Sequence, residues 1–202
     1  DGYSDAEETA AGSDPRNSWS LPPVTKVIYV DLDAQGDNNG SSWANAYDNL
    51  QAALAEADGV NRTQIWVAEG VYRPDVGPGR TAGDRTASFQ LKNRVEIIGG
   101  FQGHEQTVDA RPMRGFITYL SGDVGAHNWP GDNSYHVVNA SGVDRTAVLA
   151  DLGIGRGQAD GPTEWDKRGA GILANNGSPS LQHLLFFDNH ATGSNSGGGA
   201  LC

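Results

Sequence analysis

The sequence predicts an all-β solenoid: a coil of short parallel strands, closed at its N-terminal end by one helix. Three observations lead there. A Gly-x-Gly-apolar-apolar phrase at Gly169 returns at Gly197, 28 residues on, with a Pro-led turn at Pro179 and the apolar run Leu184-Leu185-Phe186-Phe187 between them. A unit of that length cannot bury a core alone and must stack on a neighbour. Glycine accounts for 28 of 202 residues and charged residues for only 19%, a composition of many turns rather than of a helical bundle. Strand cores recur at intervals of roughly 20–30 residues, with loops of uneven length between them. The chain stops at Cys202 as the second phrase opens, so a longer array truncated at its C-terminus is expected.

Taken in order, residues 1–23 are polar and end in Leu21-Pro22-Pro23, which reads as a stiff linker. Val27-Ile28-Tyr29-Val30 is a β-branched and aromatic run, a strand. Residues 31–42 form a turn region rich in Asp, Asn and Gly. Tyr47, Leu50, Leu54 and Ala57 then share one helical face, with Asn45 as cap, Asp48 in the first turn and Gly59 at the stop. One amphipathic helix placed just after the first strand suits the open end of a solenoid core, which otherwise exposes apolar surface and unpaired strand edges. Gln64-Ile65-Trp66-Val67-Ala68, Ser88-Phe89-Gln90-Leu91, Val95-Glu96-Ile97-Ile98, residues 116–120, Tyr135-His136-Val137-Val138 and the pair at 146–149 and 152–154 follow as strands. Loops at 75–85, 101–115, 123–133 and 155–168 are expected to project from the coil.

The formal charge is −11, and the 14 Lys and Arg never cluster, which excludes a nucleic-acid partner. A single Cys excludes a disulfide framework within these residues. No apolar run approaches the ~18 residues of a membrane span. The chain opens in mid-motif, so its own start is expected upstream.

Residues 28–101, with Ile28-Tyr29-Val30-Asp31, Gly40-Ser41-Ser42-Trp43, Ile65-Trp66-Val67-Ala68-Glu69-Gly70-Val71-Tyr72-Arg73-Pro74 and Ile97-Ile98-Gly99-Gly100-Phe101, resemble the N-terminal cap and first rungs of bacterial right-handed parallel β-helix repeat proteins in the pectin-lyase-like superfamily. Leu120-Ser121-Gly122-Asp123 and the glycine phrases continue the resemblance, which covers about residues 26–202. It implies a right-handed parallel β-helix domain over 24–202, in an extracellular or cell-surface setting. The N-terminus resembles the second half of an EF-hand-type loop, Asp1-Gly2-Tyr3-Ser4-Asp5-Ala6-Glu7-Glu8, followed by the tail of a thrombospondin type-3-like calcium repeat. That register implies Ca²⁺ ligands at Asp1, Tyr3 (through its carbonyl), Asp5 and Glu8, with the first two acidic ligands of the loop lying upstream.

Several groups could carry chemistry. Asp31, Asp33, Asp37, Asn38 and Asn39 contain enough oxygens for a metal, but Asx-rich turns bond their own backbone and explain them better. Asp123, His127, Asp132 and His136 could supply an acid, a base or a metal site, although their sequences are also good turns. Lys167 or Arg168 could act as a base for a polysaccharide lyase, against the plainer reading of a solvated mixed-charge loop. Trp129 and Trp165 on projecting loops could stack on sugar rings, while Trp66 reads as core. Asn189 reads as a corner residue bonded to the equivalent corner of the next rung. The function expected is a structural, adhesive or glycan-binding scaffold. The alternative is a carbohydrate-active enzyme, a polysaccharide lyase or glycoside hydrolase, with Asp123, Asp132, Lys167 and Arg168 as its candidate residues.

Overall fold

The structure, a computed structural model, describes residues 2–18, 20–112, 118–192 and 199–202. In chain order it contains α1 (Asp5–Ala11), β1 (Lys26–Val30), α2 (Leu50–Glu56), β2 (Thr63–Ala68), β3 (Gly70–Tyr72), β4 (Phe89–Gln90), β5 (Val95–Phe101), β6 (Thr118–Ser121), β7 (Val138–Asn139), β8 (Val148–Ala150), β9 (Gly153–Gly155), β10 (Gln158–Ala159), β11 (Ile172–Leu173), β12 (Ser180–Gln182), β13 (Leu185–Phe187) and β14 (His190–Ala191). Every described strand pairing is parallel, and the strands stack as a β-solenoid of about five turns. The main sheet runs β1-β2-β5-β8-β12, a second β3-β6-β9-β13, a third β4-β7-β11, and β10 pairs with β14.

Alternation along each strand divides inside from outside. In the main sheet Ile28, Ile65, Ile97 and Leu149 stand in register and are fully buried. Tyr72, Leu120 and Ile154 form the matching inner column of the second sheet. Each buried aliphatic side chain of this kind contributes about 1.5–3 kcal/mol, and it does so only because the turns above and below supply its neighbours. Outside the main sheet, Tyr29, Trp66 and Ile98 share a row, and Trp43 and Phe101 close over it. Trp66 stacks on Phe101 at 4.8 Å, and Trp43 Nε1 donates to the Glu105 carbonyl at 2.8 Å. Trp66 is therefore buried as expected, but in an outer aromatic cluster rather than in the coil interior.

The open end at β1 is closed twice. Val30 bridges Tyr47, and Tyr29 N donates to the Gly40 carbonyl, so the edge strand's outer hydrogen-bonding groups are met by the following segment. Above it α2 buries Leu50, Ala53 and Leu54 against the main core. The helix starts later than the periodicity suggests. Its cap is Asn49, whose side chain accepts from Ala52 N at 2.8 Å, while Asn45 Oδ1 accepts from Asp37 N in the preceding turn. Tyr47 is spent on the bridge to β1 rather than on the helix face. Lys92 Nζ donates to the carbonyls of Leu54 and Ala57, satisfying the helix C-terminus.

The corners repeat. Asp151 and His183, one turn apart, both have left-handed backbones between the first and second sheets. Arg156 and Asp188 do the same after the second sheet. The segment before β1 lies on the coil: Glu7 pairs with Arg94, and Arg62 Nη1 donates to the Pro22 carbonyl at 2.7 Å. It carries the helix α1, begun by a capping box between Ser4 and Glu7, where half of a calcium loop and the tail of a calcium repeat were expected. Strand β6 begins at Thr118, and residues 116 and 117 of the expected strand lie outside the described residues, as do Gly197 and Gly198 of the second glycine phrase. What is described of that phrase continues the coil, since Ile172 bridges Leu201 in parallel.

Candidate functional site

The second sheet carries an open groove on its outer side. Strand β9 reads Gly153-Ile154-Gly155, with Ile154 turned inward, so both outward positions lack side chains. Tyr119 from the turn before and Phe187 from the turn after lean into that space. Their rings meet edge to face at 5.5 Å, and a Cβ on either glycine would press into one of them. Val71 and Leu185, in register with Tyr119, remain exposed at 47% and 41%. The result is a half-buried aromatic platform with an apolar margin, a surface that suits the apolar face of a ring. Arg73, Ser121, His127 and Arg156 complete the lining of this cavity of about 410 Å³.

Arg156 also lines an adjoining polar pocket of about 540 Å³, with Asp123, Asn133, Gln158 and Asp188 among its walls. Asp123 links the two. Its side chain is 1% exposed and accepts from Arg156 Nη1 at 2.7 Å and from the Asn128 amide at 3.1 Å, and His127 Nδ1 lies 3.1 Å from it. A buried carboxylate is tolerated because each of its oxygens meets a donor. The His127 imidazole stands beside this carboxylate with its side chain 69% exposed. Two buried polar atoms of the site have no partner among the described residues: Arg73 Nε and Asn133 Oδ1.

The expected site residues divide. Asp123 and His127 come together in the groove. Asp132 stays in its loop, accepting from the Ala126 amide at 2.6 Å. His136 lies apart, with Nδ1 3.2 Å from the Gly169 carbonyl and Nε2 3.9 Å from Asp166; burial lowers its pKa, against the smaller opposing pull of these acceptors. Lys167 pairs with Glu164 at 3.4 Å, and the Arg168 guanidinium lies over the Trp165 ring at 5.5 Å, so neither belongs to the groove. Trp129 and Trp165 are both exposed, and Trp129 immediately precedes Pro130 on the wall of the polar pocket. Asn189 bonds to the equivalent corner, but of the preceding rung rather than the next, accepting from Gly157 N at 3.0 Å and donating to the Ile154 carbonyl at 2.8 Å. Around Asp31, the Asx side chains bond neighbouring backbone, Asp31 Oδ1 accepting from Asp33 N and Asn39 Oδ1 from Ser41 N.

At the N-terminus, Asp1 lies outside the described residues. Asp5 is exposed at the start of α1, whereas Glu8 is buried with Oε1 unpartnered. Among the described residues no three His, Cys, Asp or Glu side chains form a group that could hold a metal ion. Also among the described residues, no helix is long and apolar enough to cross a membrane.

Sequence reasoning missed Arg73, Tyr119, Arg156 and Phe187 as groove residues and Asn133 as a wall of the adjoining pocket. One signal was present: two glycines flanking an inward Ile in a strand, a place where something approaches closely. Comparison with protein-family models, with curated proteins and with solved structures yields no match to this chain.

Proposed function

We propose that the protein is a secreted or cell-surface β-solenoid module that binds glycan along the groove of its second sheet. The observation carrying this reading is the Tyr119–Phe187 platform laid over the bare β9 strand and rimmed by hydrogen-bonding side chains. A sugar offers an apolar C–H face to such rings and hydroxyls to such a rim. Support for a scaffold rather than an enzyme comes from the linings of the groove and its adjoining pocket, which include none of Asp132, Lys167 and Arg168.

The test is a glycan-array screen followed by calorimetry. Tyr119→Ala or Phe187→Ala is expected to weaken a bound glycan several-fold, since each ring contact is worth on the order of 1 kcal/mol. Affinity that survives loss of both rings, or an array without hits, removes the proposal. Absence of the protein from the cell surface and the culture fluid would remove the surface setting.

A second reading, a carbohydrate-active enzyme, is favoured by one observation: the exposed His127 imidazole lies 3.1 Å from buried Asp123, beside Arg156, an arrangement that suits a general base. Under the scaffold reading, the array hits persist without release of new reducing ends or unsaturated sugars. Products that vanish in His127→Ala would replace it with the enzyme.

A further inference from the structure

The segment before β1 is attached to the coil by little apolar surface. Helix α1 has seven residues, and a helix that short does not persist alone in water, so it exists because it is docked. Docking ordinarily rests on an apolar face, yet Ala6, Ala10 and Ala11 are all exposed, and the buried residue of α1 is Glu8. Glu8 is 1% exposed, and its Oε1 has no hydrogen-bond partner among the described residues. Its burial therefore opposes docking.

Apart from the half-buried Tyr3 ring, charge holds α1 in place. Glu7 Oε2 accepts from the Ser4 amide at 2.8 Å, closing the helix start, while Oε1 meets Arg94 of the coil. Residues 2–18 carry Asp5, Glu7, Glu8 and Asp14 against the single Arg16. On the coil, Arg62, Arg94 and Arg145 stand just before main-sheet strands of three successive turns. Arg62 is met by Glu96, whereas Arg94 has Glu7 as its counter-ion. Gly2 lies against Arg145 and Thr146, where an added Cβ would clash. A crevice of about 200 Å³ remains under the segment, lined by Tyr3, Leu21, Glu96, Arg145 and Val148 among others. The far end is fixed, since Pro22 is buried and its carbonyl accepts from Arg62.

We infer that residues 2–18 form an ionic strap, hinged at Pro22 and latched by the Glu7–Arg94 pair, that lifts from the main sheet without unfolding the coil. Lifting bares Arg94 and opens the crevice beside Tyr3. The paired side chains of Glu7 and Arg94 are 40% and 31% exposed, so salt screens the latch, and the unpartnered Glu8 oxygen pushes the same way. The residues lining the strap's crevice and those lining the groove of the second sheet do not overlap.

The experiment is hydrogen exchange of the whole chain, followed at the amides of α1 and, as a reference for the coil, at those of β5. Rates are corrected against a peptide of residues 2–13. α1 is expected to exchange faster than β5 under native conditions. Its protection is expected to fall several-fold as salt rises from about 0.01 M to about 1 M, over which the screening length shrinks from about 30 Å to about 3 Å. Glu7→Gln keeps a capping-box side chain and removes the charge. At low salt it is expected to speed α1 exchange roughly two- to fivefold, the reach of a partly exposed ion pair. Arg94→Gln is expected to do the same from the coil side, and the two together no more than either alone. Glu8→Gln is expected to slow α1 exchange, because a neutral amide replaces the buried carboxylate. β5 is expected to be unmoved throughout. Exchange of α1 and β5 at one rate would show that the strap opens only with the coil and overturns the inference. So would an α1 already unprotected at low salt, protection that salt does not change, additive effects of Glu7→Gln and Arg94→Gln, or loosening by Glu8→Gln.

Discussion

Gly157 shows how tightly the corners of the coil are packed. Its amide donates to Asn189 Oδ1, and a Cβ added to it would press into the backbone carbonyl of Ala170. Backbone of a neighbouring turn cannot rotate aside as a side chain can. Gly155, two residues earlier, faces a different obstacle, because a Cβ there meets only the far edge of the Phe187 ring. Gly157→Ala is therefore expected to lower stability by about 1–3 kcal/mol, the usual cost of overpacking. Gly155→Ala is expected to cost less, while tipping Phe187 off the platform. Urea denaturation of the two variants checks this: equal losses, or a larger loss at Gly155, would contradict it. The corner bonds of Asn189 were legible from a buried Asn beside a turn. The clash at Gly157 was not, because it depends on which residue of the next turn lies alongside.

Among the elements, α2 shows where sequence periodicity misleads. Tyr47, Leu50, Leu54 and Ala57 keep helical spacing, yet Tyr47 bridges β1 and the helix begins only after Asn49. An apolar residue at the right interval fits a strand bridge as well as a helix face. The true cap predicts a stability effect. Asn49→Ala removes the bond to Ala52 N and is expected to destabilise by about 1 kcal/mol, whereas Asn45→Ala leaves the helix start intact. A thermal-unfolding comparison in which Asn45→Ala alone loosens α2 would reverse the assignment. The long strands around Ile28, Ile65 and Ile97 were legible because β-branched and aromatic residues run together in them. The two-residue strands β10 and β14 were not, since their pairing is imposed by the turns on either side. α1 had a readable signature, Ser4 followed by Glu7 at capping-box spacing, inside a segment read as a calcium half-loop and a linker.

At the scale of the whole molecule, stacking turns brings distant residues side by side. Arg73, Tyr119, Arg156 and Phe187 come from four different turns and meet on one face, so no local motif marks them. Asp123 and His127 were legible because four residues suffice to join them. The same stacking sets a pH dependence. His136 sits beneath the loop that follows β10, with the Gly169 carbonyl, Asp166 and the Arg168 backbone around it, and burial holds its pKa below the ordinary 6.5. Above 6.5 the imidazole is neutral in both folded and unfolded chains, and its contribution to stability is complete. As pH falls below 6.5, the unfolded chain takes up a proton that the folded chain resists, so stability declines. Glu7 and Glu105 are also held below their ordinary 4.5, Glu7 by its bonds to Ser4, and Glu105 by backbone amides that outweigh its burial; their losses begin only in more acid solution. Melting temperature is therefore expected to fall between about pH 7 and about pH 5, and His136→Gln is expected to flatten that part of the profile while leaving the acid limb. A native profile flat across this window, or a variant profile that keeps the native slope, would show that the loop does not bury His136 in its neutral form.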